Sequence, residues 1–194
     1  MNILILTTNP KLYAAKGELN ATLAALTEGF ARRQGHSVQV RNLAAIKAVG
    51  GWNIEEEIEY LHWADAIVYH FPIWWFGAPA LLKEYFDEVL QHRKTFLITD
   101  IYGEGGQLGG KAFMLVVTSN MKASDLGACP VLENYQHIDD VLVQPILTNR
   151  YLGLREQWPT FHADNVIAGD TSHLEQNFIA HLQQVIPAAT QAIK

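Results

Sequence analysis

Three short, nearly unbroken apolar runs constrain this chain more than anything else in it: NILILT at 2–7, DAIVYHF at 65–71 and AFMLVVT at 112–118. Each is too short for a helix and offers no polar face, so each suits a strand covered on both sides. The segments between them have helical spacing. In 18–34, Leu19, Leu23, Leu26 and Phe30 share one face, Arg32 and Arg33 fall in the last turn, and Gly35 stands as the stop. Residues 37–41 read as a second strand, 54–62 as a short acidic helix, and 79–90 as a helix entered at Pro79 that buries Leu81, Leu82, Tyr85, Phe86, Val89 and Leu90. A helix over 132–152 bent at Pro145, a weaker fifth strand over 160–166 and a helix over 173–192 close the pattern. Parallel neighbours need crossover connections, so this alternation predicts one α/β domain over 1–194, a parallel sheet of five strands with helices on both faces. In such a sheet a ligand binds beyond the carboxyl ends of the strands, which directs attention to 8–17, to 72–78 and to 119 onwards.

Charge and cysteine use narrow the partners. Fourteen Lys and Arg against twenty Asp and Glu leave a net charge of −6. A nucleic-acid binder needs a basic footprint and an anionic membrane surface attracts one, so neither is expected as a partner. Cys129 is the only cysteine and forms no intramolecular disulfide, which fits a reducing compartment. The N-terminus runs directly into ILIL without a basic stretch and cleavage site, and a cytoplasmic location is expected. The longest apolar stretch, 64–82, is broken by Asp65, His70, Pro72 and Pro79, so no membrane insertion is expected.

Several chemical motifs fail on inspection. GGQLGGK at 105–111 has the spacing of a nucleotide P-loop, yet Ala112 stands where a magnesium-binding hydroxyl belongs, and the lysine leads into a strand instead of a helix. The histidines form no HExxH and no tight cluster with cysteine, so no metal is expected. No GxSxG elbow occurs, and Cys129 beside Pro130 lacks the basic setting of a reactive thiol.

Two loops survive. FPIWWFGAP at 71–79 places Trp74, Trp75 and Phe76 in a row at the end of a buried strand, where alternation forbids all three from facing the core. Such rings suit stacking on a flat conjugated ligand, and they equally suit a dimer interface. The loop at 8–17 ends at a helix start, where unpaired N–H groups, Lys16 and Asn20 suit a phosphate; a solvated lysine there is the plainer reading. Together, a phosphate loop after the first strand and a flat-ring loop after the third match the two ends of a flavin nucleotide.

WADAIVYHFPIWWFGAPALLKEYFDEVL at 63–90, YGEGGQLGGKAFMLVVTSN at 102–120 and LGLREQWPTFHADNVI at 152–167 resemble the NAD(P)H:quinone oxidoreductases of flavodoxin-like fold. The resemblance spans nearly the whole chain. It implies a three-layer sandwich with sheet order 2-1-3-4-5, bound FAD (FMN being the alternative), NAD(P)H as co-substrate and a homodimer with its flavin sites near the interface. It assigns Lys16, Gly17, Glu18, Leu19 and Asn20 to the flavin phosphates and ribose, and the loop of Phe71, Pro72, Ile73, Trp74, Trp75 and Phe76 to the ring. Thr118, Ser119, Asn120 and Met121 fall to the pyrimidine edge, with the Ser119 and Asn120 backbone N–H groups as donors. Tyr102 falls to a catalytic hydroxyl. The glycines around Tyr102 (Gly103, Gly105, Gly106, Gly109 and Gly110) suggest a loop that stays out of the core and approaches a ligand closely. The implied activity is two-electron hydride transfer to a quinone or other small acceptor, in ping-pong order. The alternatives are a nitro- or azo-compound reductase, a flavodoxin-type electron carrier, and an ancillary regulatory subunit of a potassium efflux system.

Overall fold

A computed structural model describes residues 1–8 and 18–189. Its centre is a parallel sheet in the order β2-β1-β3-β4-β5, with β6 also paired to β4. The three apolar runs are its middle strands, β1 (Asn2–Thr7), β3 (Ala66–Pro72) and β4 (Ala112–Thr118), and β2 (Ser37–Asn42) forms one edge. In register, Ile5 of β1 lies between Val40 and Val68, and His70 of β3 lies beside Val116.

Strand side chains alternate between the two faces, so each run feeds two cores. Ile3, Ile5, Val68, Met114 and Val116 pack under α1 (Glu18–Arg33) and α7 (Leu174–Val185), against Leu23, Phe30, Phe178 and Leu182. Leu4, Leu6, Ile67, Tyr69 and Leu115 pack on the opposite face, which carries α2 (Leu43–Ala48), α3 (Ile54–Trp63), α4 (Ala80–Val89) and, after α5 (Ile138–Val141), α6 (Val143–Tyr151). Helix signals act as the residues dictate. Gly35 at φ +84° closes α1, its N–H donating to Arg32 at 3.0 Å, and the Asn53 side chain accepts from Glu55 N at the start of α3. Lys111, the lysine of the failed P-loop spacing, instead donates to the His62 and Ala64 carbonyls at the end of α3. One ion pair is carried into the layer between sheet and helices: Glu57, fully buried, accepts from Arg41 Nε at 3.0 Å and from the Tyr85 hydroxyl at 3.3 Å.

Two expectations are corrected. The sheet order 2-1-3-4-5 is found, but the strand expected over 160–166 is only β6 (Phe161–Ala163), beside the end of β4, and a short β5 (Glu156–Gln157), outside the expected range, pairs with the start of β4, so the sheet has six strands and not five. Pro159 lies in the gap; it lacks the N–H that a continuous ladder needs. The predicted helix over 132–152 is instead a turn, then α5 and α6, and the break falls at Leu142. Pro145 does not bend it, because it sits in the first turn of α6, where no N–H partner is required.

Candidate flavin site

The site is built where β1, β3, β4 and β6 end. Backbone bonds tie these ends together: Thr8 N donates to the His70 carbonyl at 2.9 Å and Ile73 N to the Thr118 carbonyl at 2.8 Å. Asn20, buried in the first turn of α1, donates its side-chain amide to Thr118 Oγ1 at 2.9 Å. The amide oxygen of Asn20 and the hydroxyl of Thr8 are both buried and have no partner among the described residues. Buried polar groups without partners cost free energy, so two at one strand edge point to a ligand. Glu18 is exposed and Leu19 half-buried; Lys16 and Gly17 lie outside the described residues.

After β3 the chain makes a tight hairpin turn. Trp74 and Gly77 exchange reciprocal N–H···O bonds of 3.0 and 3.1 Å around Trp75 and Phe76. Both central residues are left-handed, at φ +50° and +64°. A two-residue turn of this kind favours Asn-Gly, and bulky residues at positive φ cost on the order of 1–3 kcal/mol each. The conformation turns both rings outward, leaving Trp75 95% and Phe76 52% exposed. Phe71 is a correction: it belongs to β3 and its ring is fully buried in the core. Pro72, Ile73 and Trp74 are half-buried.

The glycine loop takes a different form from the expected one. Leu108 is fully buried in the core, and a Cβ on Gly105 would lie 1.9 Å from the Leu97 carbonyl oxygen. A Cβ on Gly106 would meet the Leu152–Gly153 peptide at 2.2 Å. Those glycines allow backbone to pack on backbone, not backbone on ligand. Tyr102, at the start of the loop, is 91% exposed, its ring 5.3 Å from that of Tyr151 and its hydroxyl without a described partner. Phe76 and Tyr102 meet on one cleft of about 1280 Å³, walled by Ile101, Val131, Leu147 and Tyr151, with Arg150 and Arg155 among its polar groups. The sequence did not single out this wall, because Ile101 and Val131 lie between regular elements, Leu147 and Tyr151 lie on α6, and none of the four belongs to a motif.

After β4, Thr118 and Ser119 are buried, Met121 is half-buried and Asn120 is exposed. The Ser119 N–H donates to the Ala163 carbonyl at 3.0 Å, which corrects its expected role as a donor to a ligand. No described residue accepts from the Asn120 N–H. The Ser119 hydroxyl meets His162 Nε2 at 2.8 Å, a partner the sequence did not single out. Among the described residues, no group of three His, Cys, Asp or Glu could hold a metal ion, and no helix is long and apolar enough to cross a membrane.

The family model for the flavodoxin-like fold matches residues 1–185. The chain is 31% identical to NADPH:quinone oxidoreductase MdaB of Haemophilus influenzae, over 95% of this chain and 99% of that one. Its fold is similar to that of a putative quinone reductase from Klebsiella pneumoniae, with TM-score 0.72 and 24% identity over 96% of this chain and 86% of that one. It is also similar in fold to general stress protein 14 of Treponema denticola, solved in complex with FMN, with TM-score 0.67 and 20% identity over 95% of each chain.

Proposed function

The chain belongs to the flavodoxin-like fold family as a relative of the NADPH:quinone oxidoreductases, and from that footing we propose that it is a flavin-dependent NAD(P)H:quinone oxidoreductase. The observation that carries this reading is the left-handed turn at Trp75 and Phe76, which holds two large rings outward at the carboxyl end of the sheet. A fold tolerates strain of that kind where the displayed groups have work to do.

The residues present fit a flavin nucleotide. The unpartnered Thr8 hydroxyl and Asn20 amide oxygen suit its sugar and phosphate groups, and Lys16 and Gly17 are assigned to the same end. Ile73, Trp74 and Trp75 would lie along the ring, and the Asn120 N–H and Met121 would meet its pyrimidine edge. When bound, the flavin supplies the redox chemistry, accepting hydride from NAD(P)H and passing two electrons to a quinone. The chain binds, orients and excludes water. Tyr102 offers a hydroxyl at the cleft, and the apolar wall of Ile101, Val131, Leu147 and Tyr151 suits a flat, poorly hydrated acceptor.

One cleft serving donor and acceptor in turn supports ping-pong kinetics. Phe76, Ile101, Tyr102, Val131 and Leu147 line the cleft and stay exposed, and the partner proposed to cover these apolar side chains is a second copy of this chain. The proposed location is the cytoplasm and the proposed cofactor is FAD, with FMN the alternative. The purified protein, denatured and chromatographed, tests the cofactor: released FAD supports the reading, FMN alone transfers it to the alternative, and no flavin even after reconstitution overturns it.

A further inference from the structure

Two segments meet at the candidate flavin edge through more than the sheet ladder. Ser119 Oγ lies 2.8 Å from His162 Nε2 and 3.2 Å from the Met121 carbonyl oxygen. A carbonyl can only accept, so both contacts are satisfied when Ser119 donates to Met121 and the His162 ring donates to Ser119. The chain of donation then runs from His162 Nε2–H through Ser119 Oγ–H to Met121. Burial lowers the His162 pKa against the pull of Asp164, so the ring is neutral at neutral pH and carries the single N–H that this chain uses.

Main-chain bonds close the same seam. Besides Ser119 N to Ala163 at 3.0 Å, Val166 N donates to Ser119 at 3.1 Å and Asn165 N to Met121 at 3.2 Å. Ala123 N donates to Asp164 Oδ2 at 2.8 Å. These bonds set the register of residues 119–123 against 162–166. They do not fix the rotamer of Ser119 or hold the Met121 peptide from the inside of the turn. The contact with His162 does both, and among the described residues it is the one side chain to side chain link across the seam.

We propose that His162 is a positioning residue which, through the Ser119 hydroxyl, holds the turn of Ser119, Asn120 and Met121 in the conformation that leaves the Asn120 N–H free for the flavin. The inference rests on the flavin reading above and adds to it a residue that touches no substrate. It explains why a polar side chain sits on β6 between Phe161 and Ala163, which pack into the opposite core. It also gives Ser119 a role once its N–H is committed to the sheet.

The test uses the full chain, stripped of flavin and titrated with FAD and with FMN while flavin fluorescence is followed. His162→Leu, Ser119→Ala and the double variant each break the same link. All three are expected to bind flavin about 3- to 10-fold more weakly than wild type, by a common factor. His162→Gln places an amide donor near the Nε2 position and is expected within about twofold of wild type. Hydrogen exchange on the flavin-free proteins supplies a second readout: the Ser119, Asn165 and Val166 amides should exchange faster in His162→Leu and Ser119→Ala but not in His162→Gln. The proposal is overturned if the single effects multiply in the double variant, if His162→Gln is as weak as His162→Leu, or if exchange at those amides is unchanged. Wild-type protein that binds neither FAD nor FMN would overturn the flavin reading and the purpose given to the seam, whereas unchanged exchange would overturn the seam alone.

Discussion

Tyr102 stands at the cleft with nine-tenths of its surface in solvent, its ring against Tyr151 and its hydroxyl without a described partner. If the hydroxyl stabilises the hydride acceptor, Tyr102→Phe should retain flavin yet slow its bleaching by NAD(P)H about 5- to 150-fold, the equivalent of roughly 1–3 kcal/mol. Stopped-flow absorbance isolates that step, and an unchanged rate at normal flavin content removes Tyr102 from the mechanism. Tyr102 was legible because it opens a recognisable glycine loop. His162 was not, since its partner Ser119 lies 43 residues away and only the pairing of β4 with β6 brings them together. The glycines around Tyr102 were visible but misread: composition reveals a close approach and not what is approached, and here Gly105 and Gly106 meet backbone.

The turn from Trp74 to Gly77 shows an element bent to a use that its residues resist. Its exchanged bonds close a hairpin, but left-handed Trp75 and Phe76 occupy positions where Asn and Gly would be relaxed. The double substitution Trp75→Asn, Phe76→Gly should therefore stabilise the fold by ~1–2 kcal/mol, raising the thermal midpoint by roughly 2–8 °C. The same change removes both rings, and NAD(P)H-dependent quinone reduction should fall at least about tenfold. Calorimetry and steady-state assays on one preparation check both halves; a destabilised variant would show that the rings serve the fold. That this loop leaves the core was legible from the alternation rule. The positive φ values were not, because nothing local favours them. The same limit governs β5 and β6: which short stretches of 156–163 pair with β4 depends on the sheet already being there.

At the scale of the whole molecule, the parallel sheet places a histidine where water cannot reach it. His70 of β3 is fully buried between α1 and α7, with Nε2 3.2 Å from Thr27 Oγ1 and its ring edge-on to Phe178, and burial pushes its pKa down to about 3. The unfolded chain takes up a proton near pH 6.5 that the folded chain refuses, so this residue costs stability as pH falls from about 6.5 to about 3, by ~1.4 kcal/mol per unit. His70→Gln, neutral at every pH, should flatten that part of the curve of urea-unfolding free energy against pH; parallel curves for variant and wild type would exclude His70 as the cause. The amino-acid sequence by itself determined the α/β layering, the central strands and the aromatic loop at their carboxyl ends, because apolar periodicity and turn chemistry are local properties of the chain. Only the tertiary structure decided that the Ser119 N–H belongs to the sheet, that His162 reaches Ser119, and that α5 and α6 wall the cleft beside Tyr102. Each of these depends on contacts between residues far apart in sequence, which come into being when the strands pair and the helices close over them.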